Sequence, residues 1–552
     1  MAGFSVLGNF NRRTINRADH FDGLNEPNKL TRQFWKKIKQ VRVVTSLVFL
    51  GAFTLLFLDA WHLVPRSITG TLTSLQFVPS LLKVIMVGGT VTAIGLMFVV
   101  LMTLTLGRVY CSTFCPLGIL QDIFIRFARR LNRRKRFKYS KAPQWLQYSV
   151  LAVSIILLVA GYSMIIGDLL EPFSNFGRMV NAFAMPVVIV SNNAASELLA
   201  RFGLYFLYNV PLHPEGVGAF SLGLLFLVTV GYLSMSEGRL FCNSFCPAGA
   251  ILSLLTRVSM FRLVIDNDVC NDCLACDKVC KAQCIDSSSK QIDFSACVGC
   301  FNCLSSCPEE AIKYERRTLP DLQPVKVNFN GGRREFLKNV TLPTATLLVA
   351  PGLVQGGSIL TGTAKPITPP GSLSIRHFTS VCTACHLCVT ACPTGVIQPS
   401  FMEFGLAGMF QPKMDYTVNY CNYDCVICGE VCPTGAITPL EVPEKKLVQI
   451  GKSTFKKDDC VVVAKKKDCA ACSEHCPTKA VHTIPYENGL SIPEIDNDLC
   501  IGCGACEHAC PVAPNPTKPI FVTANAVHMK AKKPKVEKAK EPAAAPTSDF
   551  PF

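Results

Sequence analysis

The sequence predicts two architectures in one chain. One is an α-helical bundle of four membrane spans; the other is a set of small α+β modules built around cysteine clusters. Three observations predict this. A mean hydropathy of +0.31 with only 17% charged residues over 552 residues is too apolar for an ordinary soluble protein. The apolar residues gather in runs near the ~20 residues that cross a bilayer as helix. The 29 cysteines fall in tight C-x2-C clusters, which suit metals better than disulfides that staple distant loops.

In chain order, residues 1–40 form a polar, basic N-terminus with Lys36, Lys37 and Lys39 next to the first apolar run and no cleavable signal in view. A four-span membrane domain is predicted over 41–262, with runs Val43–Val64, Leu81–Leu106, Tyr148–Leu170 and Val217–Met235. The loop after the second run holds Arg126, Arg129, Arg130, Arg133, Arg134, Lys135, Arg136, Lys138 and Lys141 with no acid among them. The loops on the other side hold only Arg66, Arg178 and Arg201. Positive residues stay inside, so the N-terminus, the 107–142 loop and the chain after the fourth run are expected in the cytoplasm. The net charge of +16 is then a topology signal, and no nucleic-acid partner is expected. Segment 180–210, interrupted by Ser191-Asn192-Asn193, is expected to be interfacial or re-entrant on the far side.

The membrane part contains a repeat. Gly107-Arg108-Val109-Tyr110-Cys111-Ser112-Thr113-Phe114-Cys115-Pro116 recurs as Gly238-Arg239-Leu240-Phe241-Cys242-Asn243-Ser244-Phe245-Cys246-Pro247. Each copy closes a pair of spans on the same side, which implies two parallel halves about an axis along the membrane normal. In a helix, cysteines at i and i+4 share a face. The four thiols Cys111, Cys115, Cys242 and Cys246 then meet as one metal site, act as two redox dithiols, or are buried structural cysteines.

A two-cluster module follows at 263–320, on the cytoplasmic side. It carries Cys270, Cys273, Cys276 and Cys280, then Cys297, Cys300, Cys303 and Cys307-Pro308. After a linker at 321–365, a four-cluster module is predicted over 366–522. Its groups are Cys382/Cys385/Cys388/Cys392, Cys421/Cys425/Cys428/Cys432, Cys460/Cys469/Cys472/Cys476 and Cys500/Cys503/Cys506/Cys510, each closed by proline. Residues 523–552, rich in Lys, Ala and Pro, read as a disordered tail.

A [4Fe–4S] cube takes four thiolates: a C-x2-C-x2-C loop supplies three, and in two-cluster ferredoxins the cysteine before proline ligates the other cube. Six quartets imply six cubes. Zinc, the main rival, accounts less well for the third close cysteine and the following proline. In the first module Cys270, Cys273 and Cys276 pair with Cys307, and Cys297, Cys300 and Cys303 with Cys280. Cys280 is followed by Lys281 rather than proline, so the spare Cys284 either replaces it or stays a free thiol. In the second module exchange is either nested or sequential, and group three has a stretched first gap, Cys460-x8-Cys469.

Cys382-Thr383-Ala384-Cys385-His386 matches a haem-attachment pattern, but both cysteines belong to a complete quartet. Among the proposed spans only His62 is a histidine, so transmembrane b haem is not expected. His62, Asp59, Asp168 and Glu171 gather at the far-side boundary, where they suit proton handling at a quinol site or serve simply as interfacial polar residues.

Between the two modules lies Arg333-Arg334-Glu335-Phe336-Leu337-Lys338, followed by a modestly apolar run at 340–360. Two arginines before x-Phe-Leu-Lys are an address for the twin-arginine export route. That route carries folded proteins, as clusters assembled in the cytoplasm require. The uncleaved run would add a fifth anchor. The fold class is thus a membrane α-helical bundle, four spans plus a fifth anchor, with α+β bacterial-ferredoxin-like [4Fe–4S] domains.

At this point residues ~40–310 resemble the membrane-bound NapH-type ferredoxin, and residues ~331–515 resemble the exported NapG-type partner. Methylamine-utilisation and nitrous-oxide-regulator relatives share these features. The resemblance implies a quinol-dehydrogenase component with quinol as donor and a periplasmic reductase or cytochrome as partner. It also implies a bacterial inner-membrane location with cytoplasmic and periplasmic domains. The alternative is a maturation, assembly or regulatory factor that supplies electrons to another metalloenzyme.

Overall fold

The computed structural model describes residues 26–59, 61, 63–131, 137, 139, 144–159, 169–210, 212, 217–317, 365–405, 408–514 and 517–533. His62, Asp168, the twin-arginine pair Arg333-Arg334 and the run 340–360 lie outside the described residues.

One helix ties the molecule together. α1 (Glu26–Leu58) has 33 residues, about 50 Å at 1.5 Å per residue. Near its start, Trp35 packs on Phe301 and Tyr314 with ring centroids 5.8 and 6.1 Å apart. Near its end, Phe57 packs on Phe173 and Phe176, and its carbonyl accepts from Thr390 Oγ1. Phe301 and Tyr314 belong to the first cysteine module, Thr390 to the second. The two modules therefore meet α1 at opposite ends, and from Trp35 to Phe57 the helix rises about 33 Å.

α2 (Arg66–Ser74) and α3 (Phe77–Met86) meet at 101°. Both outer ends touch the second module: Arg66 pairs with Glu430 at 2.7 Å, and Lys83 Nζ donates to Cys432 O. At the tip, Gln76 donates to Phe114 O and accepts from Tyr110 OH. The pair thus enters the bundle and returns. α4 (Thr90–Leu106) follows. The predicted second run, Leu81–Leu106, is therefore not one helix. It breaks at Val87–Gly89, where Gly88 and Gly89 have φ of +77° and +114°, backbone that glycine adopts without a Cβ penalty.

The bundle continues with α5 (Tyr110–Thr113), α6 (Pro116–Leu131), α7 (Gln144–Val159) and α8 (Pro172–Met179). α8 runs on through a π turn, Val180–Ala184, into α9 (Met185–Ala200). α10 (Val217–Glu237), α11 (Leu240–Ser244) and α12 (Pro247–Thr256) complete it. Among the described residues, two continuous helices, Thr31–Leu58 and Pro172–Ala200, are long and apolar enough to cross a bilayer; the bent α2–α3 pair makes a third. Thr90–Leu106, Gln144–Leu157 and Gly223–Glu237 are apolar but shorter. Segment 180–210, expected to be interfacial or re-entrant, is helical to Ala200 and continues the helix from Pro172. Its asparagines do not break it, because they bind the returning chain. Asn192 Nδ2 donates to Tyr208 O, and Asn193 bonds both N–H and C=O of Val210.

Each cysteine module is a set of two-stranded antiparallel ribbons. In the first, β1 (Phe261–Ile265) pairs with β4 (Ile312–Arg316), and β2 (Ile285–Asp286) with β3 (Gln291–Ile292). In the second, β5 (Ile397–Pro399) pairs with β6 (Pro412–Met414), and β8 (Val481–Pro485) with β9 (Ser491–Ile495). β7 (Val448–Phe455) pairs with β10 (Ile520–Lys530). The strand β10 corrects the predicted tail: Ala524, Asn525 and His528 lie in it, and His528 N donates to Leu373 O while Asn525 Nδ2 donates to Gln449 O. Residues 534–552 lie outside the described residues.

Candidate metal centres

The repeat builds the junction between the bundle and the first module. Gly107 (φ +78°) and Gly238 (φ +66°) open the two copies in left-handed backbone. A Cβ at Gly107 would lie 2.8 Å from the Phe294 ring, and one at Gly238 would lie 2.4 Å from Lys281 O. Glycine at both points lets the module sit close. The next residues cross over: Arg108 Nη2 donates to Cys242 O, and Arg239 Nη1 to Cys111 O. Each buried guanidinium thus satisfies a backbone carbonyl in the other copy, locking the two halves together. Asp122 holds Arg239 at 2.7 Å and Lys281 at 3.1 Å, with Arg42 at 3.8 Å. Burial alone would raise the Asp122 carboxyl, but these three cations pull it down to about 2.

Cys111, Cys115, Cys242 and Cys246 are all buried. The predicted continuous helical face does not form. Cys111 lies in α5 and Cys115 just before Pro116 of α6; Cys242 lies in α11 and Cys246 caps α12, its Sγ accepting from Gly249 N. Proline at the first helical position ends one helix and starts the next. Even so, the four thiols share one pocket electrostatically. Burial pushes Cys115 up, and Cys111, Cys242 and Cys246 add to it; burial also pushes Cys246 up, with Cys242 next.

In the modules the C-x2-C turns wrap by a common device. The residue after the second cysteine (Leu274, Phe301, His386 or Gly504) is left-handed and opens a short helix that carries the third cysteine. The structure then brings quartets together round shared cavities. Cys382, Cys385 and Cys388 share one with Cys432. Cys421, Cys425 and Cys428 share one with Cys392. Cys460, Cys469 and Cys472 share one with Cys510. Burial lifts Cys506 to about 12, with Cys500 and Cys476 among the further causes. The cavities in the second module thus gather the first group with the second and the third with the fourth, the sequential arrangement. The stretched Cys460–Cys469 gap is taken up by the short helix Val461–Lys465 and a left-handed Lys466.

In the first module Cys280, Cys297, Cys300 and Cys303 ring one cavity. Burial lifts Cys276 to about 11, with Cys307 and Cys273 among its neighbours. Cys284, which sequence left open, lines the same cavity as Cys280, Sγ to Sγ 3.6 Å.

This donor set fits cubes. Among the described residues no three His, Cys, Asp or Glu groups converge at the spacing of a single ion, whereas zinc holds each sulfur at about 2.3 Å. Four cavities that each gather four or more cysteines are what a larger inorganic box requires. Burial pushes Cys385 and Cys472 up to about 12, and ligation as thiolates would release their protons.

Two of the polar groups expected at the far-side boundary have structural work. Asp59 accepts from Leu63 N and Val64 N. Glu171 caps α8 through Phe173 N and Ser174 N. His386, the histidine of the haem-like pattern, is buried with Nε2 2.8 Å from Phe410 O.

A family described as 4Fe-4S binding domain matches residues 89–135 and 218–264, the two copies of the repeat. A 4Fe-4S dicluster domain matches 465–513, and a further 4Fe-4S binding domain matches 375–398. The ferredoxin-type protein NapF of Escherichia coli (strain K12) is 30% identical over 159 residues, 88% of that protein and 28% of this chain. The chain belongs to the ferredoxin-type proteins of that kind. Ferredoxin-type protein NapH of Haemophilus influenzae is 25% identical over 305 residues, covering 51% of this chain and 89% of the relative. An uncharacterized protein of Methanocaldococcus jannaschii is 26% identical over 226 residues, 40% of this chain and 76% of the relative. No solved structure matches. This polyferredoxin is thus an iron–sulfur electron-transfer protein related to NapF and NapH.

Proposed function

We propose that the chain carries electrons from the quinol pool to a periplasmic redox partner, with two cubes on the cytoplasmic side of the membrane and four on the far side. The observation that carries this reading is the placement of the two cysteine modules at opposite ends of α1, with apolar helices between them. The cubes would be held by the six quartets paired as above, and each stores one electron. Oxidation of a quinol breaks two O–H bonds and releases two electrons and two protons. Two neighbouring clusters held by the second module would accept one electron each, and the protons would leave to water on that side.

The four-span topology, the twin-arginine passage through Arg333-Arg334 and the anchor at 340–360 belong to this reading. The second module would fold and load its clusters in the cytoplasm, then cross. A quinol analogue added to vesicles holding the loaded protein should bleach the cluster absorbance and raise a reduced-cube resonance. If dithionite reduces the clusters and the quinol analogue does not, the donor is not quinol.

A second reading is favoured by one observation: Cys111, Cys115, Cys242 and Cys246 are all buried in the duplicated junction beside the first module. Buried thiols in that junction suit a pair of redox dithiols, and with them the role of an assembly factor that supplies electrons to another metalloenzyme. Replacing Cys242 and Cys246 by serine should then abolish maturation of the partner while leaving quinol-driven cluster reduction intact.

A further inference from the structure

The second module and the helix bundle enclose a cavity that the cysteine sites do not use. Its volume is about 320 Å³, within the ~300–1,000 Å³ of small-molecule pockets. It follows α10 from Gly223 to Leu233, about 15 Å along the helix. Phe226, Phe241, Phe245 and Phe410 give it aromatic walls. Asn175, Arg178 and His386 give it polar lining on the side of α8 and the second module.

We propose that this cavity binds the ring of a lipid quinol. The inference rests on the quinol reading above and gives that reading a site. Three observations select the ligand class. First, the cavity opens sideways. Leu225 is 58% exposed and Leu169 38% exposed, and Thr229 beside them is also exposed; all three line the cavity. Around this mouth Leu224 and Val228 of α10 are exposed as well. An apolar mouth on an apolar helix face admits a ligand from lipid, not from water.

Second, the lining matches a quinol's own division into a flat ring, a polar edge and an apolar tail. Aromatic walls accept a ring by offset or edge-on packing. Arg178 and Asn175 are locked to each other, Nη2 to Oδ1 at 2.8 Å, and the guanidinium lies 5.1 Å from the Phe410 ring centroid. Side chains so fixed hold a ring oxygen in one place. The length along α10 leaves room for the first part of an isoprenoid tail towards the mouth.

Third, the site adjoins a cysteine cavity that would hold an electron acceptor. His386 lines this cavity and also the neighbouring cavity of Cys382, Cys385, Cys388 and Cys432. It sits between two of those cysteines in sequence. Its Nε2 bonds Phe410 O, its carbonyl accepts from Asn181, and Thr390 Oγ1 donates to Asn181 Oδ1. A single packed residue therefore separates the ring pocket from a cysteine site. Transfer there needs no carrier across the thickness of the bundle.

The test uses the full chain, loaded with iron and sulfide, in lipid nanodiscs. The probe is 2-heptyl-4-hydroxyquinoline N-oxide, a fluorescent quinol analogue, titrated by quenching. Wild type should bind about one probe per chain. Gly223→Leu, whose Cβ meets Ala182 Cβ at an ordinary 3.8 Å, and Thr229→Trp at the mouth should each weaken binding at least tenfold with iron content unchanged. If wild type binds and both variants bind as tightly, the cavity is not the site, while vesicle reduction by quinol still upholds the functional reading. If wild type does not bind, the cavity proposal falls, and the same vesicle assay decides separately whether quinol is a donor. Should the variants lose iron, a photoreactive azidoquinone on the wild type takes their place. Labelled peptides from 169–179 or 223–233 uphold the site, and labelling confined to other segments overturns it.

Discussion

Single side chains decide the state of the cysteine sites. Cys280 and Cys284 line one cavity with their sulfurs 3.6 Å apart, so either can complete the quartet of Cys297, Cys300 and Cys303. Cys280→Ser and Cys284→Ser should each keep full iron content, and the double variant should lose four irons per chain, read by iron analysis and spin counting. Asp122 shows the electrostatic counterpart. Its carboxylate neutralises Arg239 and Lys281 in a largely buried cluster, and removing one partner of such a group costs about 3–5 kcal/mol. Asp122→Asn should therefore lower the melting temperature of the membrane domain clearly. The sign with pH follows from the depression to about 2. The contribution is fully present above the usual carboxylate value of about 3.9 and is lost as pH falls through about 2, so the gap between wild type and variant should close in that window. The quartets could be grouped from the sequence because their spacing is local, and the structure gathers sixteen of those cysteines round four cavities. The sequence left Cys284 open because its position beside Cys280 depends on the turn at Ala282-Gln283, where Gln283 has φ of +55°.

At the scale of elements, the repeat works through glycines, arginines and prolines as much as through its thiols. Gly238 combines a left-handed backbone with close approach to Lys281 O. Gly238→Ala adds a left-handed penalty of about 1–2 kcal/mol to a direct clash, and it acts where the first module docks. Amide exchange in residues 280–284 should rise sharply in that variant while residues 382–510 keep their protection. Unchanged exchange at 280–284 would show that the docking does not depend on this approach. The duplication was legible in the residues, and so was its position at the ends of apolar helices. The crossing of Arg108 and Arg239 was not, because it is a contact between copies 131 positions apart in the chain. The break at Gly88-Gly89 escaped a hydropathy reading for a related reason. Glycine is not polar enough to interrupt an apolar run, yet its backbone interrupts the helix. In segment 180–210 the asparagines do not interrupt the helix, because the chain at 208–210 satisfies the amides of Asn192 and Asn193.

At the scale of the whole molecule, α1 sets a distance of about 33 Å between the points where the modules attach, close to the ~30 Å of a hydrocarbon core. A chain arranged to keep two cluster sets in one compartment has no need of that separation. If the helices between them lie in a membrane, Cys273, which is exposed in the first module, must face the cytoplasm. Glu474, Lys479 and Glu487 on the exposed surface of the second must face the other side. The prediction is asymmetric access. In right-side-out spheroplasts a membrane-impermeant amine reagent should label Lys479, and in inverted vesicles it should label Lys313 of β4 instead. Replacing Arg333 and Arg334 by lysine should block passage of the second module, so that Lys479 becomes labelled only in inverted vesicles, while Lys313 labelling is unchanged. Labelling of both lysines from one side in the wild type would place all the clusters in a single compartment. Quinol would then have to deliver its electrons and protons to the same face, and the twin arginines would have no export to direct.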